Sequence, residues 1–162
     1  MTAEAERRAA PRLKREPRHR GREAAVQMLY QWEVGRASIP EVMQTFWLHD
    51  HSSEHPSEPS SDAVSDEHRA FATRLATGVV DSVATVDPII SDAAENWRLE
   101  RMNVMDRLIL RLAVYEFLHQ PETPVRVVIN EALELARTFS TDDSVRFING
   151  ILDAIRRRLE RE

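Results

Sequence analysis

Residues 104–118, VMDRLILRLAVYEFL, are apolar on nearly every side when they are wound as a helix. A helix of this kind has to be covered by other elements all around, because no face of it suits water. The stretch therefore predicts a central buried helix against which the rest of the chain packs. The alternative for one side is a docking face for a protein partner with Asp106 at its rim. Its two faces are formed by Leu108, Ile109, Leu112 and Tyr115, and by Leu110, Val114 and Phe117 beside Asp106.

The other apolar segments repeat with the period of a helix, and no segment alternates for long enough to indicate a sheet. Gly35 is expected to end the first helix, and Pro88 is expected to begin a helix at its first position. Thr141 is expected to cap the last helix. The fold class predicted is all-α, with about seven helices in one domain over residues 18–160. Besides 104–118, the predicted helices cover about 18–34, 40–48, 66–84, 88–97, 127–139 and the residues after 141.

The N-terminal segment differs in charge from the rest of the chain. Residues 1–22 contain eight basic and three acidic residues, whereas the remaining residues contain fourteen basic and twenty-four acidic ones. With Pro11 and Pro17, residues 1–17 are predicted to be a disordered basic arm. A basic arm on an acidic body is typical of proteins that bind nucleic acid, although a solubilising tail has the same composition.

Composition also bears on the compartment. The chain has no cysteine, so disulfides and thiolate chemistry are excluded. No apolar run approaches the length of about 18 residues that spans a bilayer, and the N-terminus has no hydrophobic signal core. We expect a cytoplasmic protein that does not bind membranes.

Residues 49–66, HDHSSEHPSEPSSDAVSD, are predicted to form a flexible loop rich in serine, proline and acidic residues. The loop contains HSSEH at 51–55, which matches a zinc-peptidase pattern. That chemistry needs His51 and His55 one turn apart on a rigid helix, which this serine-rich run does not favour. A zinc hydrolase is thus the weaker alternative.

Nothing else in the sequence indicates catalysis. The four glycines are too dispersed for a phosphate-binding loop, and no nucleophile motif is present. The sequence predicts a protein that is not an enzyme and has no cofactor.

Two aromatic residues lie away from the core faces of their helices. In the last helix, Val145, Ile148 and Leu152 share one stripe, and Phe147 lies about 120° from it. In the first helix Tyr30 lies about 130° from the apolar stripe. Such rings are most often packed in a second core layer, but rings next to arginines are also what single-stranded RNA binds.

Gly150 lies on the same side as Phe147, where it suits either the approach of a ligand or close helix packing.

Three blocks of the chain resemble the NusB family of bacterial transcription antitermination factors: RGREAAVQMLYQWEVG, DRLILRLAVYEF and VVINEALELARTFSTDDSVRFINGILD. The resemblance covers most of residues 18–158, in the same order. It implies two small helical bundles packed at a steep angle, and no enzymatic activity. It also implies that the protein binds the boxA element of ribosomal RNA leaders together with ribosomal protein NusE, and helps RNA polymerase to read through terminators.

The resemblance also implies roles for particular residues. Asp106 corresponds to an acidic position in the region that meets NusE, and Leu110 lies beside it on the face considered for a partner. We therefore expect Asp106 and Leu110 in partner binding and no metal site. The RNA contacts implied are Arg18, Arg20, Arg22, Tyr30, Asp143, Arg146 and Phe147.

The remaining alternative is a helical protein-interaction module that has no role with RNA. The sequence leaves open whether the chain is a monomer or a homodimer, because an exposed Phe147 could also bind a second copy.

Overall fold

A computed structural model describes the backbone of residues 3–49 and 61–160 and the side chains of residues 18–47 and 67–160. This part of the chain contains six α-helices, one 3₁₀ turn and no strand, so the prediction of an all-α fold is confirmed. None of these helices is long and apolar enough to cross a bilayer. The helices are α1 (Ala3–Gly35), α2 (Ile39–His49), α3 (Ser61–Ala93), α4 (Val104–His119), α5 (Val125–Phe139) and α6 (Asp142–Glu160), and the 3₁₀ turn is Leu99–Arg101.

Helix α4 is the centre of the fold, as the sequence predicts. It packs against α1, α3, α5 and α6. Every residue from Asp106 to Glu116 is buried. At Gly78 of α3 an added Cβ would overlap the ring of Tyr115, so the absence of a side chain lets α3 and α4 approach closely.

The helix count differs from the prediction because two predicted helices form one. Helix α3 continues through Pro88 to Ala93. Proline removes one backbone donor from a helix, but the apolar register extends across it through Val86 and Ile90, both fully buried. Tertiary packing therefore outweighs the local preference of proline for a first position.

The N-terminal segment also differs from the prediction. Residues 3–17, predicted to be disordered, continue α1 as helix. Alanine, glutamate and arginine, which are good helix formers, dominate this segment, and they favour helix against Pro11 and Pro17.

The predicted loop at 49–66 is shorter than expected at both ends. His49 is the last residue of α2, and residues 61–66 belong to α3. The remainder, with His51 and His55 of the HSSEH pattern, lies outside the described residues.

The charged residues buried on α4 are paired. Arg107 donates to Glu33 of α1 at 2.6 Å. Arg111 donates to both carboxylate oxygens of Asp87 of α3 at 2.8 and 2.9 Å. Burial by itself lowers the pKa of Arg111, but the hydrogen bonds and charges of Asp87 and Glu33 outweigh it and raise that pKa above its usual value. These pairs connect α4 to α1 and to α3.

Candidate nucleic-acid interface

A groove of about 360 Å³ lies between the start of α6 and the segment that joins α3 to α4. We call it the Phe147 groove. Rings and polar groups both face it, and it therefore offers stacking surfaces together with hydrogen-bonding groups. It is lined by Trp97, Arg101, Met102, Asn103, Asp106, Asp143, Ser144 and Phe147.

The ring of Phe147 is shared between the protein interior and this groove. Ile148 and Leu152 next to it are fully buried, whereas Phe147 is half-buried and packs on the edge of the core. Its ring meets that of Trp97 edge to face, with centroids 5.6 Å apart and planes at 73°. The structure therefore places Phe147 at the margin of the core and not clear of it.

Exposed charged residues lie in the groove lining and next to Phe147 in the sequence. Asp143 and Arg146 are exposed on α6, and Arg101 is exposed on the 3₁₀ turn. Neither arginine forms an ion pair with a carboxylate of the described side chains. An added Cβ at Gly150 would meet nothing within 4 Å, so close packing against the described residues does not explain this glycine. This side of α6 is open to a ligand.

A buried polar cluster fixes the start of α6 beneath the groove. Ser140 Oγ and Ser144 Oγ each donate to one oxygen of the Asp106 carboxylate at 2.9 Å. Thr141 Oγ1 accepts from the backbone N–H of Ser144 at 3.2 Å, which confirms Thr141 as the cap of the last helix. Asp106 thereby ties the junction of α5 and α6 to α4.

Tyr30 lies in a different groove, of about 420 Å³. Its side chain is 42% exposed, unlike Met28 and Leu29 beside it, which are fully buried. The first turn of α4 separates the two grooves, because Met105 lines this one and Asn103 lines the Phe147 groove. The Tyr30 groove is lined by Gln27, Tyr30, Gln31, Phe46, Met105 and Phe139.

The three arginines predicted to bind RNA at the start of the domain differ in exposure. Arg18 and Arg20 are exposed, and the guanidinium of Arg18 lies 5.2 Å from the centre of the Phe71 ring. Arg22 is 3% exposed and donates from Nε and Nη2 to Glu116 at 2.7–3.1 Å. The guanidinium of Arg22 is thus enclosed and bound to a carboxylate, which argues against the RNA contact predicted for it.

The two residues predicted to bind a partner are also interior. Leu110 is fully buried, which argues against the partner contact predicted for it. Asp106 is 6% exposed and its carboxylate accepts from two serines, so its main role is within the fold.

Sequence analysis missed Trp97 and Arg101 as site residues. The sequence predicts Trp97 at the end of a helix, whereas it lies between α3 and the 3₁₀ turn and is 58% exposed. The available signal was a tryptophan within the polar run ENWRLER, where a large ring has no core stripe to join. Within the described part of the chain, no group of three or more His, Asp or Glu residues is placed to hold a metal ion.

Known proteins are similar to this chain over nearly the whole helical domain. The model of the NusB family matches residues 19–157. The Transcription antitermination protein NusB of Sorangium cellulosum (strain So ce56) is 43% identical over 144 residues, which cover 89% of this chain and 94% of that protein. The protein of the same name from Koribacter versatilis (strain Ellin345) is 42% identical and covers 93% of this chain and 95% of its own length. These relatives are named for antitermination of transcription and not for a reaction.

Solved structures agree in fold. A structure of T. maritima NusB has a TM-score of 0.70 and 32% identity, and covers 85% of this chain and 89% of its own. A structure of antitermination factors NusB and NusE in complex with dsRNA has a TM-score of 0.69 and 21% identity. The match covers 86% of this chain and 95% of that chain. Sequence and fold agree: the chain belongs to the NusB family.

Proposed function

We propose that this chain is an RNA-binding transcription antitermination factor. Together with ribosomal protein NusE it binds the boxA element of ribosomal RNA leaders, in the cytoplasm, and promotes read-through by RNA polymerase. The relatives carry the name of this activity, and one NusB of the same fold is described with NusE in complex with dsRNA.

The observation that carries the proposal is the Phe147 groove. It combines a ring that is not enclosed by the core with the exposed Arg101 of its lining, and the exposed Arg146 directly precedes Phe147 on α6. Unpaired bases stack on such rings, and arginines neutralise the phosphates that join them.

The proposed RNA contacts continue along the first helix. Tyr30 offers a second exposed ring, and the exposed Arg18 and Arg20 add positive charge. Since the first turn of α4 separates Tyr30 from the Phe147 groove, an RNA strand that reaches both rings crosses this turn. Asp143, which is exposed and lines the Phe147 groove, can accept hydrogen bonds from base amino groups.

The contact with NusE is proposed near the start of α4, where Asp106 borders the Phe147 groove. Leu110, one turn further along α4, is fully buried and supports this part of α4 from within the core.

The test is the affinity of the purified protein for labelled single-stranded boxA RNA, measured by fluorescence anisotropy with and without NusE. Phe147→Ala and Tyr30→Ala each remove one stacking ring, so each is expected to weaken binding by about 1–3 kcal/mol. Val127→Ala is the matched control, because Val127 is an exposed apolar residue (42%) on α5, outside both grooves.

Circular dichroism has to show that each variant keeps its helix content, because Phe147 also packs on the edge of the core. Equal affinity of wild type, Phe147→Ala and Tyr30→Ala would refute the assignment of both rings. A change in sedimentation of Phe147→Ala without a change in RNA affinity would instead assign the groove to self-association.

A further inference from the structure

We propose that Trp97 is a further RNA-binding residue, which stacks on an unpaired base next to the one bound at Phe147. This inference rests on the proposed function, and it adds a contact from the segment between α3 and α4.

Trp97 is the most exposed of the large apolar side chains among the described residues, at 58%. Leaving an indole ring in water forgoes the free energy that its burial would supply. The ring is not at a fraying end of the chain, because buried Ala94 and Met102 lie on either side of it. An exposed ring in a fixed segment is what a stacking surface requires.

Backbone and side-chain hydrogen bonds hold this segment in place. The N–H of Trp97 donates to the carbonyl oxygen of Ala94 at 2.8 Å. The carbonyl oxygen of Leu99 accepts from Arg107 Nη1 of α4 at 3.2 Å and from the N–H of Met102 at 3.3 Å. The backbone that carries the indole is therefore fixed before a ligand binds, which lowers the entropy cost of binding.

The contact between Trp97 and Phe147 leaves room for a base. An edge-to-face pair covers no more than one face of either ring, so at least one face of the indole is not used by Phe147. The two planes differ by 73°, and a single base therefore cannot lie flat against both rings at their present positions. We infer that the rings bind two different bases, which turns the strand at this point.

Polar groups around Trp97 suit a nucleotide better than an apolar peptide side chain. Exposed Arg101 lines the same groove and can reach a phosphate, and Asn103 and Asp143 offer groups that can bond to base edges. The groove volume of about 360 Å³ is within the range of roughly 300–1,000 Å³ that small-ligand pockets occupy.

The experiment measures intrinsic tryptophan fluorescence and affinity during titration with single-stranded boxA RNA in the presence of NusE. The chain has three tryptophans, and Trp97 is the exposed one, since Trp32 and Trp47 are half-buried. Stacking of a base on the indole is expected to quench its emission. In Trp97→Phe most of this quenching is lost while a ring remains, and in Trp97→Ala the affinity falls by roughly 5- to 150-fold.

A second titration uses RNAs that carry an abasic nucleotide at successive positions. In the wild type, the position that stacks on Trp97 loses affinity when its base is removed, and in Trp97→Ala the same removal has no further effect. In Phe147→Ala, the RNA position at which base removal has no further effect is expected to be the neighbour of the position that stacks on Trp97. Val127→Ala serves again as the control.

The outcomes separate the two proposals. If Phe147→Ala weakens binding while Trp97→Ala and the quenching signal do not differ from controls, the role of Trp97 is wrong and the proposed function stands. If the wild type does not bind the RNA, both are wrong. Loss of NusE binding in Trp97→Ala with unchanged RNA affinity would assign the ring to a protein contact and overturn the inference.

Discussion

Two regions of this molecule bring arginines and aromatic rings together, and burial gives them different roles. Around the buried Phe71, the guanidinium of the enclosed Arg22 lies 5.3 Å from the ring centre, and those of the exposed Arg18 and Arg74 lie at 5.2 and 5.9 Å. Phe71 is only 4% exposed, and Arg22 is bound to Glu116. In the Phe147 groove, by contrast, the rings reach the surface and the nearby arginines are exposed.

The comparison shows that the same residue types stabilise the fold in one place and suit a ligand in another. A guanidinium that is enclosed with a carboxylate is already satisfied and holds α1 to α4. A guanidinium in water next to an incompletely buried ring has hydrogen-bonding capacity left for an anion. The predictions below test this distinction.

The largest effect is expected for Arg22→Ala. It leaves the Glu116 carboxylate, 2% exposed, without its bidentate partner, so the free energy of unfolding should fall by about 3–5 kcal/mol. Urea denaturation followed by circular dichroism measures the change. Arg146→Ala is the matched control, because it removes an exposed arginine, and its stability should stay within about 0.5 kcal/mol of the wild type.

If Arg22→Ala were as stable as the wild type and bound RNA more weakly, the division between the two regions would be wrong. The earlier expectation of an RNA contact at Arg22 would then hold.

An intermediate effect is expected for Asp106→Ala. The hydroxyls of Ser140 and Ser144 lose the carboxylate that accepts from both of them. The free energy of unfolding should therefore fall by about 1–3 kcal/mol. Because these serines fix the start of α6, RNA affinity should fall as well, through displacement of Phe147. Thermal unfolding and RNA anisotropy measured on the same sample test this.

Ser140→Ala is the control for Asp106→Ala. It removes only one of the two donors, so it should lower the free energy of unfolding by less than Asp106→Ala does. Unchanged stability of Asp106→Ala with lost NusE binding would assign Asp106 to the partner surface alone.

The smallest effect is expected for Arg146→Ala on RNA binding. If Arg146 neutralises one phosphate, the slope of the logarithm of affinity against the logarithm of salt concentration should fall by about 0.7, as for a single strand. Val127→Ala should leave the slope unchanged. A normal slope in Arg146→Ala would remove this arginine from the proposed interface.

Periodicity alone predicted the parts of the fold that depend on apolar burial. Residues 104–118 are predicted as the central helix, because a stretch that is apolar on nearly every side is favourable only in the interior. The continuous α3 was missed because Pro88 is a strong local signal to begin a helix, and only the packing of Val86 and Ile90 overrides it.

The candidate site was predicted in part for a similar reason. The angular position of Phe147 and Tyr30 placed their rings off the core stripes, which depends on local helix geometry alone. The burial of Arg22 depends on Glu116, 94 residues away, and no local pattern can show that pairing. Trp97 was missed because its exposure is set by the turn between two helices, for which periodicity gives no signal.

The most direct test of the separation between the two regions is to map the peptides that ultraviolet light cross-links to single-stranded boxA RNA in the presence of NusE. We predict cross-links at Phe147, Trp97 and Tyr30, and none at the enclosed Phe71. Cross-links confined to other surfaces, such as the side of α5 that carries Val127, would contradict the account.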